Sequence, residues 1–160
     1  MLLLHTCPMK PAVWFMSGAD RDDEHPDSAS ERPATAPRIL RVLIVEDEFF
    51  ISLSTEAMLE ELGHVTVGVA ISADEAEQLA ERERPDVILM DIRLTGSRDG
   101  IDAAAAIRNK LGIRSIFVTA NTDQGTRQRA LIADPLGFIE KPLTNRRLDN
   151  ALAAIPGSKQ

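Results

Sequence analysis

From residue 39 onward, apolar residues fall into two alternating rhythms. Short continuous runs, rich in β-branched residues, read as strands buried on both faces, and the stretches between them carry apolar residues at helical spacing. "ILRVLIVE" (39 to 46) predicts a first strand. A helix follows from about Phe49 to Leu62, with Phe50, Leu53, Met58 and Leu62 at helical spacing and Gly63 in the C′ position. "VTVGVA" (65 to 70) predicts the second strand, and Ser72 with Glu75 forms a capping box that opens a helix to about Arg82. The rhythm continues with "VILM" (87 to 90), a helix from about Gly100 to Leu111 stopped by Gly112, and "SIFVT" (115 to 119). A helix from about Gln124 to Ala133, "GFIE" (137 to 140) and a last helix from about Asn145 to Ala154 complete five strand-helix units. This alternation implies a three-layer α/β domain, a parallel sheet covered by helices on both faces.

The first 38 residues break the pattern. They hold five of the nine prolines (Pro8, Pro11, Pro26, Pro33 and Pro37), and Ser17 to Arg38 is polar without an apolar period, which predicts a disordered tail. Met9 and Met16 offer alternative starts, so the tail is assigned no function. "MLLLH" is too short an apolar run for a signal peptide, and no stretch reaches the roughly 20 apolar residues of a membrane helix, so no membrane association and a cytoplasmic location are expected. Residues 39–156 then form the domain, and 157–160 a short C-terminal tail.

Composition narrows the chemistry. The 160 residues and 44% hydrophobic content suit one core, and a formal charge of −7 without clustered Lys and Arg argues against a nucleic-acid surface. Cys7 is the single cysteine, and His5, His25 and His64 show no ligand spacing, so neither a disulfide nor a Cys/His metal site is expected.

In an open parallel sheet, ligands bind beyond the carboxyl ends of the strands. Those ends carry Glu46, Asp47 and Glu48 after the first strand, Asp91 after the third, Thr119 after the fourth and Lys141 after the fifth. Any one acid there is as readily a helix N-cap or a solvated turn. Several together repel unless a cation lies between them, and all-oxygen ligation with room for water suits Mg²⁺. Mg²⁺ works with phosphoryl oxygens, for which Lys141 and Thr119 supply donors and the facing carboxylate a nucleophile.

These residues carry a resemblance. Residues 39–156 resemble the receiver domain of bacterial two-component response regulators: "VLIVEDE" is similar to its acidic pair, "PDVILMDIRL" to its phospho-accepting strand, "FVTA" to its switch hydroxyl and "GFIEKPL" to its lysine-proline corner. The separations, 44 residues from Asp47 to Asp91, 28 on to Thr119 and 22 on to Lys141, also resemble the family's. The resemblance implies a flavodoxin-like (βα)5 doubly wound parallel sheet with strand order 2-1-3-4-5. It implies that Asp91 accepts a phosphoryl group from a sensor histidine kinase or a histidine phosphotransferase. Glu46, Asp47, Asp91 and the backbone carbonyl of Arg93 would hold Mg²⁺. Lys141 would pair with the phosphoryl oxygens, Thr119 would swing in to meet the acyl phosphate, Phe138 would be the aromatic switch, and the Lys141-Pro142 peptide would be cis. For Phe138 a core aromatic is the other reading. Arg93 and Asn121 sit where the family tunes acyl-phosphate lifetime; both also read as ordinary solvated side chains.

Departures matter too. Thr95 stands where the family commonly has proline, and "LTGSRDG" is one residue longer than usual, which predicts a looser metal loop. With 19 residues after Lys141, no output domain is expected, leaving a stand-alone receiver that is not an enzyme beyond its own phosphorylation and autodephosphorylation. It would signal through a downstream protein partner as relay, phosphate sink or kinase restraint, as a monomer or a phosphorylation-dependent dimer. "DIRLTGSRDGIDAA" and "EDEFFISLSTEAMLEELGH" resemble receivers of alphaproteobacterial general-stress and photosensory pathways. A haloacid-dehalogenase-type phosphatase would need a second Asp two residues after the nucleophile, where Arg93 stands. A receiver-fold interaction module that is never phosphorylated is the remaining alternative.

Overall fold

Five parallel strands, β1 (Arg41–Val45), β2 (Val65–Ala70), β3 (Val87–Asp91), β4 (Ser115–Thr119) and β5 (Gly137–Glu140), lie in the order β2-β1-β3-β4-β5 in this computed structural model. Residues 38–120 and 123–155 are described. The expected tails, apart from Arg38, therefore lie outside the described residues, as does Asn121. The helices are α1 (Phe49–Glu61), α2 (Ala73–Glu83), α3 (Gly100–Leu111), α4 (Gln124–Ala130) and α5 (Asn145–Ala153), with a single 3-10 turn at Leu131–Ala133 after α4. Residues 41–153 thus form a flavodoxin-like (βα)5 domain, as the receiver resemblance implies.

Side chains along a strand alternate between faces, so each apolar run serves two cores. Leu43, Val45, Ile88, Met90 and Phe117 pack with α2 and α3, while Val42, Ile44, Val87, Leu89, Ile116, Val118 and Ile139 pack with Leu59 of α1 and Leu148 and Leu152 of α5. Central strands β3 and β4 are buried along their whole length. Full burial of each such side chain contributes about 1.5–3 kcal/mol.

Local chemistry sets the ends. Asp99 caps α3, its Oδ1 accepting from the N–H groups of Ile101 at 3.0 Å and Asp102 at 3.1 Å, and Gly112 closes the helix at φ 74°. Ser72 caps α2 as its sequence implies, accepting from the Glu75 N–H at 3.3 Å. The reciprocal half of the expected box is displaced: Glu75 accepts from the N–H of Ile71 at 2.9 Å.

Helix α1 departs from its sequence pattern. Phe50 and Leu53, half of the expected apolar stripe, are exposed, Met58 and Leu62 are half-buried, and the buried face is Ser52, Thr55 and Leu59. Ser52 and Thr55 can face the sheet because their hydroxyls donate to the carbonyls of Phe49 and Ile51, both at 2.8 Å, leaving no unsatisfied donor.

Candidate functional site

The sheet order reverses between β1 and β3, whose carboxyl ends lie side by side with Val45 opposite Met90. Asp91 follows directly, opposite Val118, and Thr119 lies opposite Glu140, so Lys141 emerges one residue beyond. The rigid sheet therefore delivers four segments to one rim. Glu46 and Asp91 are almost fully buried, at 4% and 7% exposure, and Thr119 is buried as well.

Carboxylate oxygens of Glu46, Asp47 and Asp91 come within 4.8 Å of one another. Lys141 Nζ lies 2.7 Å from both Asp91 Oδ2 and Glu46 Oε2. Asp91 Oδ1 accepts from the Arg93 N–H at 3.1 Å, and Glu46 Oε1 from the Glu48 N–H at 3.4 Å. Burial pushes the Glu46 carboxyl up; the Lys141 hydrogen bond pulls it down, the Asp91 charge pushes it up again, and the net direction is upward. Burial alone would lower the Lys141 ammonium, but hydrogen bonds and charge from Asp91 and Glu46 outweigh it and leave it raised. Three carboxylates against one ammonium leave two negative charges uncompensated when all are ionised. An all-oxygen set with that deficit fits a hard dication.

The surroundings fix these groups. The Lys141-Pro142 peptide is cis, and the Lys141 N–H donates to the Thr119 carbonyl at 2.9 Å. Phe138 stacks on buried Phe117 with ring centroids 5.6 Å apart, and the Arg127 guanidinium of α4 lies 4.9 Å from its ring centroid. Arg93 is exposed.

A family model of the response regulator receiver domain matches residues 42–153. The chain belongs to that family. It is 37% identical over 115 residues to the transcriptional regulatory protein PdtaR of Mycobacterium tuberculosis, covering 72% of this chain and 55% of that protein. It is 39% identical over 113 residues to the phyllosphere-induced regulator PhyR of Methylorubrum extorquens, covering 69% of this chain and 41% of that one. The chain thus spans about half the length of these curated relatives. Among solved structures, the signal receiver domain of a modulated diguanylate cyclase from Desulfovibrio desulfuricans matches with TM-score 0.67 and 35% identity, covering 71% of this chain and 90% of that chain. The response regulator PhyR from Brucella abortus matches with TM-score 0.63 and 33% identity over 74% of this chain and 48% of that one.

Three features of this receiver site were not read from its sequence. Thr95 donates to Asp47 Oδ2 through both its backbone N–H, at 3.1 Å, and its hydroxyl. The β3–α3 loop is also tied at its far end, where Arg98 pairs with Asp74 at 3.0 Å and Glu77 at 2.5 Å on α2, and Asp99 pairs with Arg129 of α4. Gly100 packs against the Asp91 main chain: a Cβ there would stand 1.8 Å from the Asp91 carbonyl oxygen. The sequence pattern marks Gly100 only as the approximate start of a helix.

Proposed function

We propose that the domain is a response regulator receiver that takes a phosphoryl group onto Asp91 from the phosphohistidine of a sensor kinase or a histidine phosphotransferase, with Mg²⁺ held by Glu46, Asp47, Asp91 and the Arg93 carbonyl. The observation that carries this reading is the Asp91 carboxylate, buried at a strand end within one oxygen cluster and 2.7 Å from Lys141 Nζ. Mg²⁺, when bound, would neutralise the charge that builds on the transferring phosphoryl oxygens.

An Asp91 carboxylate oxygen attacks phosphorus, the P–N bond to the donor imidazole breaks, and its electron pair returns to the imidazole nitrogen, which takes up a proton. Asp91 is poised for this because sheet packing fixes its main chain and the Arg93 N–H orients one carboxylate oxygen. Lys141 starts as the counter-ion of Asp91. It then follows the transferred charge onto a phosphoryl oxygen, so the same cation serves both states. Thr119, at the end of β4, supplies a hydroxyl to the acyl phosphate. Phe138 transmits that movement to the face formed by α4, β5 and α5, where a downstream protein partner distinguishes the two states. Arg93 and Asn121, two residues beyond Asp91 and Thr119 in the sequence, set how readily water hydrolyses the acyl phosphate. This chemistry belongs in the cytoplasm, where kinase and Mg²⁺ meet it.

Intact mass after incubation with acetyl phosphate tests the reading. A gain of about 80 Da that requires Mg²⁺, is labile to alkali and disappears in Asp91→Ala supports it. If neither acetyl phosphate nor beryllofluoride modifies the folded protein, phosphotransfer is abandoned for a non-phosphorylated interaction module.

A further inference from the structure

Asp47 differs from its two partners in the cluster. Glu46 and Asp91 are buried and share the Lys141 ammonium, whereas Asp47 is only half-buried and is held by Thr95, 48 residues further along the chain in the β3–α3 loop. Both Thr95 donors converge on a single oxygen, Oδ2. A carboxylate gripped in this way has a fixed plane and one oxygen already satisfied, so Oδ1 is the one left to a cation. Hydrogen bonds of this kind to a ligating carboxylate orient it and spare it the loss of rotamer freedom on metal binding.

The tie also joins two loops. Thr95 is exposed and is followed by Gly96 at φ 134°, where a Cβ would meet nothing within 4 Å. Packing holds the chain at Leu94, just before Thr95, but nothing packs around Gly96 beyond it. The Thr95 to Asp47 contact fastens this turn to the β1–α1 side of the site, and a cation engaging Asp47 acts on the same junction.

We propose that Thr95 is a positioning residue for metal binding: by committing Oδ2 of Asp47 it presents Oδ1 to the divalent cation shared with Glu46 and Asp91. The inference rests on reading the cluster as a Mg²⁺ site. It departs from the expectation that a Thr in this position simply loosens the loop.

The test is Mg²⁺ titration of the full chain by calorimetry, for wild type, Thr95→Val, Thr95→Ala and Thr95→Ser, alongside melting temperatures with and without Mg²⁺. Removing the hydroxyl in Thr95→Val is expected to raise the Mg²⁺ Kd about tenfold, the lower end of what loss of a partner behind a metal ligand costs. Thr95→Ala should match it and Thr95→Ser should restore wild-type affinity. The Mg²⁺ concentration that half-saturates acetyl phosphate labelling should rise by the same factor. A purely structural role would lower the metal-free melting temperature and leave Kd unchanged. An unchanged or lower Kd in Thr95→Val, or no rescue by Ser, overturns the inference and leaves the Mg²⁺ site standing. Absence of Mg²⁺ binding by the wild type overturns both.

Discussion

Gly100 and Asp91 touch through their main chains: the first residue of α3 lies so close to the end of β3 that an added Cβ would stand 1.8 Å from the Asp91 carbonyl oxygen and 3.0 Å from Met90 Cγ. The Gly100 N–H meanwhile donates to the Ile92 carbonyl at 3.0 Å, so the glycine cannot back away without losing a hydrogen bond. A residue with no obvious chemistry thereby sets the position of the carboxylate that has it.

Gly100→Ala separates two opposed effects. Alanine favours a helix over glycine by about 1 kcal/mol, which alone predicts stabilisation. The obstructing atom is backbone, however, and forced overpacking of that kind costs about 1–3 kcal/mol or more. Urea denaturation should therefore show a less stable protein, with slower acetyl phosphate labelling because Asp91 has moved. A variant at least as stable as wild type would mean that α3 can shift freely against β3.

How much was legible follows from the range of each interaction. The strands announce themselves because residues such as Val87 to Met90 are apolar on both faces, and the rim residues follow from knowing where strands end. Asp91 and Lys141 could be paired in advance because the fold class brings strand ends together. The Thr95 to Asp47 tie and the Gly100 contact depend on loop paths between elements, which no local pattern encodes. Helix α1 misleads for a different reason: only Met58 and Leu62 of its apolar stripe pack against the core, while Phe50 and Leu53 face outward. Periodicity reports where apolar residues align, and the sheet takes whichever face its connections present.

That disagreement over α1 is measurable. If the apolar stripe were core, Phe50→Ser would cost several kcal/mol; with Phe50 82% exposed, the expected change lies within about 0.5 kcal/mol. Leu59→Ala, on the buried face, should cost about 2–5 kcal/mol. Equal losses for the two substitutions in urea melts would return Phe50 to the core.

Glu46 makes the metal-free protein sensitive to pH in a definite direction. Its carboxyl is held above the usual 4.5 by burial and by Asp91, despite Lys141. The fold therefore favours the protonated form: this contribution is fully present below about pH 4.5 and is lost as the pH rises through the folded value. At neutral pH the ionised group is a net liability without a cation. Glu46→Gln, neutral throughout and still able to accept from Lys141, should be more stable than wild type in EDTA at about pH 7, with the gain shrinking toward about pH 4. Lys141 does not reverse the trend, because its raised value keeps it charged up to and beyond 10.5. Adding Mg²⁺ should invert the order, since only the wild type retains the full ligand set. A Glu46→Gln protein less stable than wild type in EDTA at neutral pH would refute the assignment of Glu46 as strained.

The Arg127 guanidinium over Phe138 yields a prediction about the switch itself. A cation–π contact at an exposed site contributes about 0.5–1 kcal/mol, small beside the fold but comparable to the free energy separating two positions of one ring. Phe138 is gripped between Phe117 beneath and Arg127 above, so loosening one side should change the ring's environment without unfolding the domain. Uniform incorporation of fluorinated phenylalanine places probes at all five phenylalanines, with Phe138→Leu and Phe117→Leu assigning their two resonances. Arg127→Ala should move the Phe138 signal and, through the stack, that of Phe117, and leave those of Phe49 and Phe50 on α1 in place. Arg127→Lys should move them less, because it keeps a cation over the ring. If phosphorylation acts through Phe138, beryllofluoride with Mg²⁺ should shift the same two resonances in the wild type, and the shift should need less beryllofluoride in Arg127→Ala, where one restraint on the ring is already gone. Resonances of Phe117 and Phe138 that ignore both the substitution and beryllofluoride would show that this aromatic pair is core packing alone, and that the signal leaves the site by another route.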